Sequence, residues 1–173
     1  FLKFLSLALT CFNMRKIKNI FNKKEKLECD IKQAILDNNL TMLKYYLNNS
    51  AVNINKTDQN YFSLLDFACL NRRVAVMKFL ISYNARLGVL LFQIESEVKF
   101  LTVINDLKDA EYDFNNVDKL GFTPIYYAHI MNFKKAYSKL VSYNAKQVDF
   151  DKPEDNEVTR FTKERVKILV GTS

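Results

Sequence analysis

Residues 118–146 read DKLGFTPIYYAHIMNFKKAYSKLVSYNAK, and residues 58–86 read DQNYFSLLDFACLNRRVAVMKFLISYNAR. The two stretches align over 29 positions without a gap, sixty residues apart. Asp58 meets Asp118, Phe62 meets Phe122, Ser63 meets Thr123, Leu65 meets Ile125 and Ala68 meets Ala128. Leu80 and Ile81 meet Leu140 and Val141, and the tetrapeptide Ser-Tyr-Asn-Ala closes both, at 82–85 and 142–145. A shift of 34 extends the series upstream: Ala34 meets Ala68, Leu43 meets Met77, Leu47 meets Ile81 and Ala51 meets Ala85. Self-similarity at such a period is the mark of a stacked-repeat protein. A sixty-residue offset falls short of twice 33, so a shortened unit is expected between the second and the last.

Each unit reads as two short amphipathic helices. In the last, Thr123-Pro124 opens the first helix. A Thr hydroxyl can cap free backbone N–H groups, and Pro at the first helical position loses no hydrogen bond. Ile125 and Ala128 carry the helical spacing, and Asn132 breaks it. A second helix over about 134–142 sets Ala136, Tyr137, Leu140 and Val141 on one stripe. Asparagine tolerates the left-handed conformation that terminates helices, so Asn84 and Asn144 are expected stops.

These residues resemble the ankyrin repeat, whose pattern runs D-x-x-G-x-T-P-L-H-x-A-A, a helix break, then a second helix ending L-L and G-A. Asp118, Gly121, Thr123, Pro124, Ala128 and Ala145 match directly. Ile125 stands for Leu, Tyr126 for His, and Asn132 and Asn144 for Gly. In 58–86, Ser63 replaces Thr, Leu64 replaces Pro and Asp66 replaces His. Residues 28–57 resemble a first unit without its leading hairpin. Residues 88–117 carry no T-P-L-H signature, and VLLFQIES and EVKFLTVINDLKDA are the segments expected to form their two helices. The resemblance spans about 28–150. It implies an all-α solenoid of about four helix-turn-helix units with helical caps at both ends: a basic segment at 1–26, the repeats at 27–150, and an acidic linker and capping helix at 151–173.

Composition agrees with this architecture. The 173-residue chain is 49% apolar, enough for a packed core, and its three glycines and two prolines are too few for the turns of an all-β domain. Cys11, Cys29 and Cys69 lack metal-ligand spacing, and one histidine cannot complete a Cys/His site. They read as thiols in a reducing compartment, cytoplasmic or nuclear or the interior of a host cell. The net charge of +7 is uneven: residues 1–26 hold seven cations and one acid, so the rest is nearly neutral. The run RKIKNIFNKKEK (15–26) spaces Ile17, Ile20 and Phe21 for a capping helix. Its other reading is a patch for nucleic acid or an anionic membrane surface. The apolar run at 1–12 is too short to span a bilayer. It is expected to be a first helix or sequence upstream of a start at Met14 rather than a signal remnant, and the chain could be a fragment of a longer one.

No pattern nominates an enzyme. His129 follows Ala128 at a position read as structural or surface, and the acids from Asp149 to Glu157 lack a calcium-loop spacing. No phosphate-binding glycine loop or nucleophile elbow occurs. Val158, Phe161, Val166, Ile168 and Leu169 give a last helix the apolar side needed to cover the open end of a stack. No cofactor is implied. The resemblance implies binding of another protein through hairpin tips and the concave faces of the first helices. Carried onto this chain, those positions are Lys119, Leu120, Phe122, Ile130 and Met131 in the last unit, and Gln59, Asn60, Phe62, Leu70 and Asn71 in the second. Leu120, Phe122, Ile130 and Met131 are apolar where water is expected. They are read either as a partner surface or as packing against the irregular middle unit.

Overall fold

A computed structural model describes residues 23, 25–50 and 52–147. The two ends of the chain, with the expected terminal caps, the basic run up to Asn22 and the acidic linker, lie outside the described residues. Among the described residues the architecture is all-α, with no strand. Helix α1 covers 25–36, α2 Leu40–Asn49, α3 Leu64–Leu70, α4 Val74–Ser82, α5 Glu97–Asp109, α6 Pro124–Ile130 and α7 Lys134–Ser142. A single 3-10 turn, Leu91–Gln93, precedes α5.

Three helix pairs, α1–α2, α3–α4 and α6–α7, share one connecting turn. Asn38, Arg72 and Asn132 occupy it with φ of 54°, 53° and 57°. The residue after each sends its N–H back to a carbonyl in the first helix: Asn39 to Ala34 at 2.9 Å, Arg73 to Ala68 at 3.0 Å, Phe133 to Ala128 at 2.8 Å. That left-handed residue and back-bond satisfy carbonyls the helix end would otherwise strand. Helices α4, α5 and α7 end the same way at Asn84, Glu111 and Asn144, with φ of 60°, 62° and 64°. The expected stops at Asn84 and Asn144 are therefore present.

Every letter of the repeated tetrapeptide has a task. Ser82 and Ser142 donate to Phe79 and Lys139 carbonyls at 2.7 and 2.6 Å. Tyr83 and Tyr143 reach back to Asn48 at 3.5 Å and Asn105 at 2.8 Å on the preceding outer helices. The Asn84 and Asn144 carbonyls accept from Asn55 and Asn115 Nδ2 at 3.2 and 3.3 Å. Ala85 and Ala145 are buried.

The shortened unit is where expectation and structure part. Its segment VLLFQIES forms no helix; one 3-10 turn stands there, and only EVKFLTVINDLKDA becomes helical, as the 13-residue α5. Gly88 explains the loss. Its N–H donates to Asp66 Oδ2 at 2.8 Å, and an added Cβ would lie 2.2 Å from that oxygen and 2.3 Å from the Tyr61 carbonyl. The chain is thus pressed onto the second unit's first helix just where a first helix of its own would begin. Leu87, Val89, Leu90, Leu91 and Ile94 are buried and supply the apolar filling in its place. Lacking a partner helix in its own unit, α5 packs against α3 and α4 on one side and α7 on the other.

Helix starts also divide unexpectedly. Thr123 precedes α6 with Pro124 at the first position, but its hydroxyl makes no capping bond. The reciprocal cap belongs to the less typical unit: Ser63 Oγ accepts from the Asp66 N–H at 3.1 Å, and Asp66 Oδ2 accepts from the Ser63 N–H at 3.0 Å. Such a box needs an acceptor three residues past the cap. Asp66 provides one, and Tyr126 does not.

Two substitutions test these backbone assignments. Gly88→Ala forces backbone apart and is expected to destabilise by about 2 kcal/mol, the range of overpacking strain, read as a lowered denaturation midpoint. Tyr61 holds φ 64° where the last hairpin has Gly121 at 90°. Tyr61→Gly is expected to raise the midpoint by relieving about 1 kcal/mol of left-handed strain.

Candidate functional site

The hairpin loops are built on aspartates. Asp58 Oδ1 accepts from the Asn60 and Phe62 N–H groups at 2.8 and 3.1 Å, and Asp118 Oδ1 from Leu120 and Phe122 at 2.8 and 3.0 Å. A short acidic side chain folding onto its own following backbone fixes the tip that follows it. Gln59 and Asn60 are exposed at one tip and Lys119 at the other. The first helices then run down from the hairpins.

Along α3 two stripes separate. Leu65, Ala68 and Cys69 are buried in the core. Leu64, Phe67 and Leu70, three residues apart, run beside them and stay partly or wholly exposed, with Leu70 at 55%. This second stripe forms one wall of a groove of about 200 Å³ against α1. Phe62 lies at its hairpin end, Ile31 of α1 and Val52 face it, and charges line its rim. Those charges are largely paired. Lys56 bonds Glu28, and Lys32 lies 3.7 Å from Asp58 with its amine 5.5 Å from the centre of the Phe67 ring. The result is an apolar slot with a neutralised polar edge, the arrangement that accepts an apolar side chain from another molecule.

Of the expected contact residues, Phe62 and Leu70 line this groove together. Asn71 instead donates to the Phe67 carbonyl at 2.8 Å and holds the end of α3. In the last unit Leu120, Phe122, Ile130 and Met131 are half-buried, and the latter three pack against the core. Phe122 stacks on Tyr126 with centroids 4.7 Å apart and meets Tyr127 edge-on at 5.9 Å, while Phe92 of the 3-10 turn lies 6.0 Å from Tyr127. The 3-10 turn of the irregular unit thus packs against α6. The α1 wall and Phe67 escaped the sequence reading, although the Leu64-Phe67-Leu70 spacing, offset from the core stripe, carried the signal.

Beneath the two hairpins lies a group of buried acids and phenols. Asp66 is fully buried, its pKa pushed up to about 7 by burial against the downward pull of the Ser63 and Gly88 N–H groups. Its Oδ1 has no hydrogen-bond partner. Burial likewise raises Asp118, although the Tyr127 hydroxyl donates to its Oδ2 at 2.6 Å. Both tyrosines near these acids, Tyr112 and Tyr127, have their hydroxyls held protonated by burial and by the Asp118 charge. The arrangement has the chemistry of a buried polar joint. His129 is exposed, with its ring 6.3 Å from Tyr137. No cluster of three metal-ligating side chains occurs among the described residues, and none of their helices is long and apolar enough to cross a membrane. Cys29 is exposed and Cys69 buried, both as free thiols.

Residues 31–81 match the family model for ankyrin repeats (many copies). That match runs from the second half of α1 through most of α4 and includes the groove's lining residues except Glu28. No curated protein matches the chain.

The buried joint sets a pH dependence. The native state keeps a proton on Asp66 up to about pH 7, whereas the unfolded chain loses it near the ordinary carboxylate value of 3.8. Stability therefore falls as pH rises between those values and levels off above them. Asp66→Asn, which offers an amide oxygen to the same two N–H groups, is expected to flatten the stability curve between about pH 4 and 7 and to stabilise the protein at pH 8. An unchanged slope in chemical denaturation would assign the dependence elsewhere.

Proposed function

The chain belongs to the ankyrin-repeat proteins, which generally serve as protein–protein interaction modules, and we propose that it binds a partner protein through the α1–α3 groove and the adjoining hairpin tip. The observation that carries this reading is the second apolar stripe of α3. Leu64 and Phe67 are only partly covered where they pack against the core and Leu70 is exposed, and the three stand in line along a slot whose charged rim is already neutralised. An exposed leucine beside a half-exposed ring is the kind of site where a few contacts dominate binding. Gln59 and Asn60 at the neighbouring tip supply hydrogen-bonding groups at the edge, and Lys119 with Leu120 offers a second tip. Phe122, Ile130 and Met131 contribute mainly by holding α6 in place. The activity is non-enzymatic, and it needs no cofactor.

The basic run 15–26 offers a second contact, toward nucleic acid or an anionic membrane surface. Its support is the concentration of cations in residues 1–26. Binding of that kind weakens steeply with salt and disappears when the segment is removed.

The groove is tested by affinity capture from the native cell with the wild-type chain, Leu70→Asp and Val98→Asp. Leu70 and Val98 are both exposed, the latter at 73% on α5 away from the groove. Leu70→Asp is expected to lower recovery of a direct partner about tenfold or more, the effect of losing a central contact, with an unchanged melting temperature. Val98→Asp is expected to leave recovery intact. Equal recovery with all three baits would refute the groove as the binding face.

A further inference from the structure

The missing first helix of the third unit takes its hairpin with it. The hairpins of the second and last units therefore do not meet a neighbour between them. The last one instead leans on the linker, where the Lys119 N–H donates to the Leu87 carbonyl at 3.0 Å. Beside that contact a cleft of about 440 Å³ opens, more than twice the size of the α1–α3 groove. Its walls are Asn55 and Thr57 before the second hairpin, Arg86 on the linker, and Asn116 and Lys119 at the last hairpin, with Tyr112 also lining it. Unlike the groove, this cleft is mainly polar.

Its charge is unbalanced. Arg86 and Lys119 are exposed, and neither forms an ion pair or ring contact among the described residues. Asp118 is an acid of the lining, but it is buried and spent internally: it accepts from Leu120, Phe122 and the Tyr127 hydroxyl. The Asn55 amide is likewise committed, to the Asn84 carbonyl and the Arg86 N–H. What faces solvent is two unpaired cations, with neutral polar groups beside them. Two cations suit one or two carboxylates; a nucleic-acid backbone needs a longer row of phosphate contacts.

We propose that this cleft receives an acidic, extended segment of a partner protein, with a Glu or Asp carboxylate seated between Arg86 and Lys119. The segment occupies the space a third hairpin would have filled. The cleft adjoins the α1–α3 groove at Thr57 and Ser63, but Arg86 and Lys119 line only the cleft and Phe67 and Leu70 only the groove, so each site can fail without the other.

The test titrates the full chain with hexaglutamate and hexaglutamine peptides while amide chemical shifts are followed by NMR. Hexaglutamate is expected to shift Arg86, Leu87, Asn116 and Lys119, with affinity falling roughly fivefold or more from 50 to 250 mM salt as the contact is screened. Hexaglutamine is expected to shift none of them. The double variant Arg86→Ala/Lys119→Ala, which alters only exposed side chains, is expected to lose about tenfold in affinity with an unchanged melting temperature. Leu70→Asp is expected to bind the peptide normally, which separates this result from the fate of the groove. Shifts confined to residues 15–26, or equal binding by the double variant, would overturn the proposal.

Discussion

Each complete unit bounded by a hairpin is closed by one side-chain amide. Asn55 holds the Asn84 carbonyl with its Nδ2 and the Arg86 N–H with its Oδ1, and sixty residues on Asn115 does the same to Asn144 and Lys146 at 3.3 and 2.8 Å. Asn53 and Asp113 in turn accept from the N–H groups of Asn55 and Asn115. The amide takes the place of a backbone peptide and ties the loop that opens a unit to the helix end that finishes it. Burial of a common core then locks the units to one another, since none can hide its apolar face alone.

The sequence displayed the helix stops at Asn84 and Asn144, but not the amides of Asn55 and Asn115 that hold them. It also displayed that one unit is short. It did not display which half was lost. VLLFQIES is as apolar as a buried helix, and periodicity cannot separate a buried helix from a buried extended run. The deciding fact is the contact between Gly88 and Asp66, twenty-two positions apart, where no side chain fits. The Thr123 cap was over-read for a related reason. The Thr-Pro pair fixes where α6 begins, but the reciprocal bond depends on the residue three places later, and there the last unit has a tyrosine. The groove was half legible. Phe62 and Leu70 stood out by position, while Phe67 is marked only by α1 facing it across the groove.

Charge in this protein does different work at different depths. Arg72 holds Asp106 with two bonds of 2.9 and 3.0 Å, and the acid is nearly buried while the guanidinium is exposed. That pair joins the helix-connecting turn of the second unit to α5, and hydrogen bonds to a desolvated carboxylate are the costly ones to lose. Lys78 and Glu111 connect α4 to the end of α5 at the surface, where an ion pair adds little. Between them α5 is fastened at both its middle and its end to the second unit.

The first turn of α5 reaches the other way. Helix α7 has no cap from its own N-terminal residue; Glu97 supplies one, its Oε1 accepting from the Lys135 and Ala136 N–H groups at 2.7 and 3.1 Å. The free N–H groups and the positive end of α7 meet their acceptor only where α5 is in place. The cap is thus borrowed from the irregular unit. The most degenerate stretch of the sequence supplies the helix cap that the most typical repeat lacks.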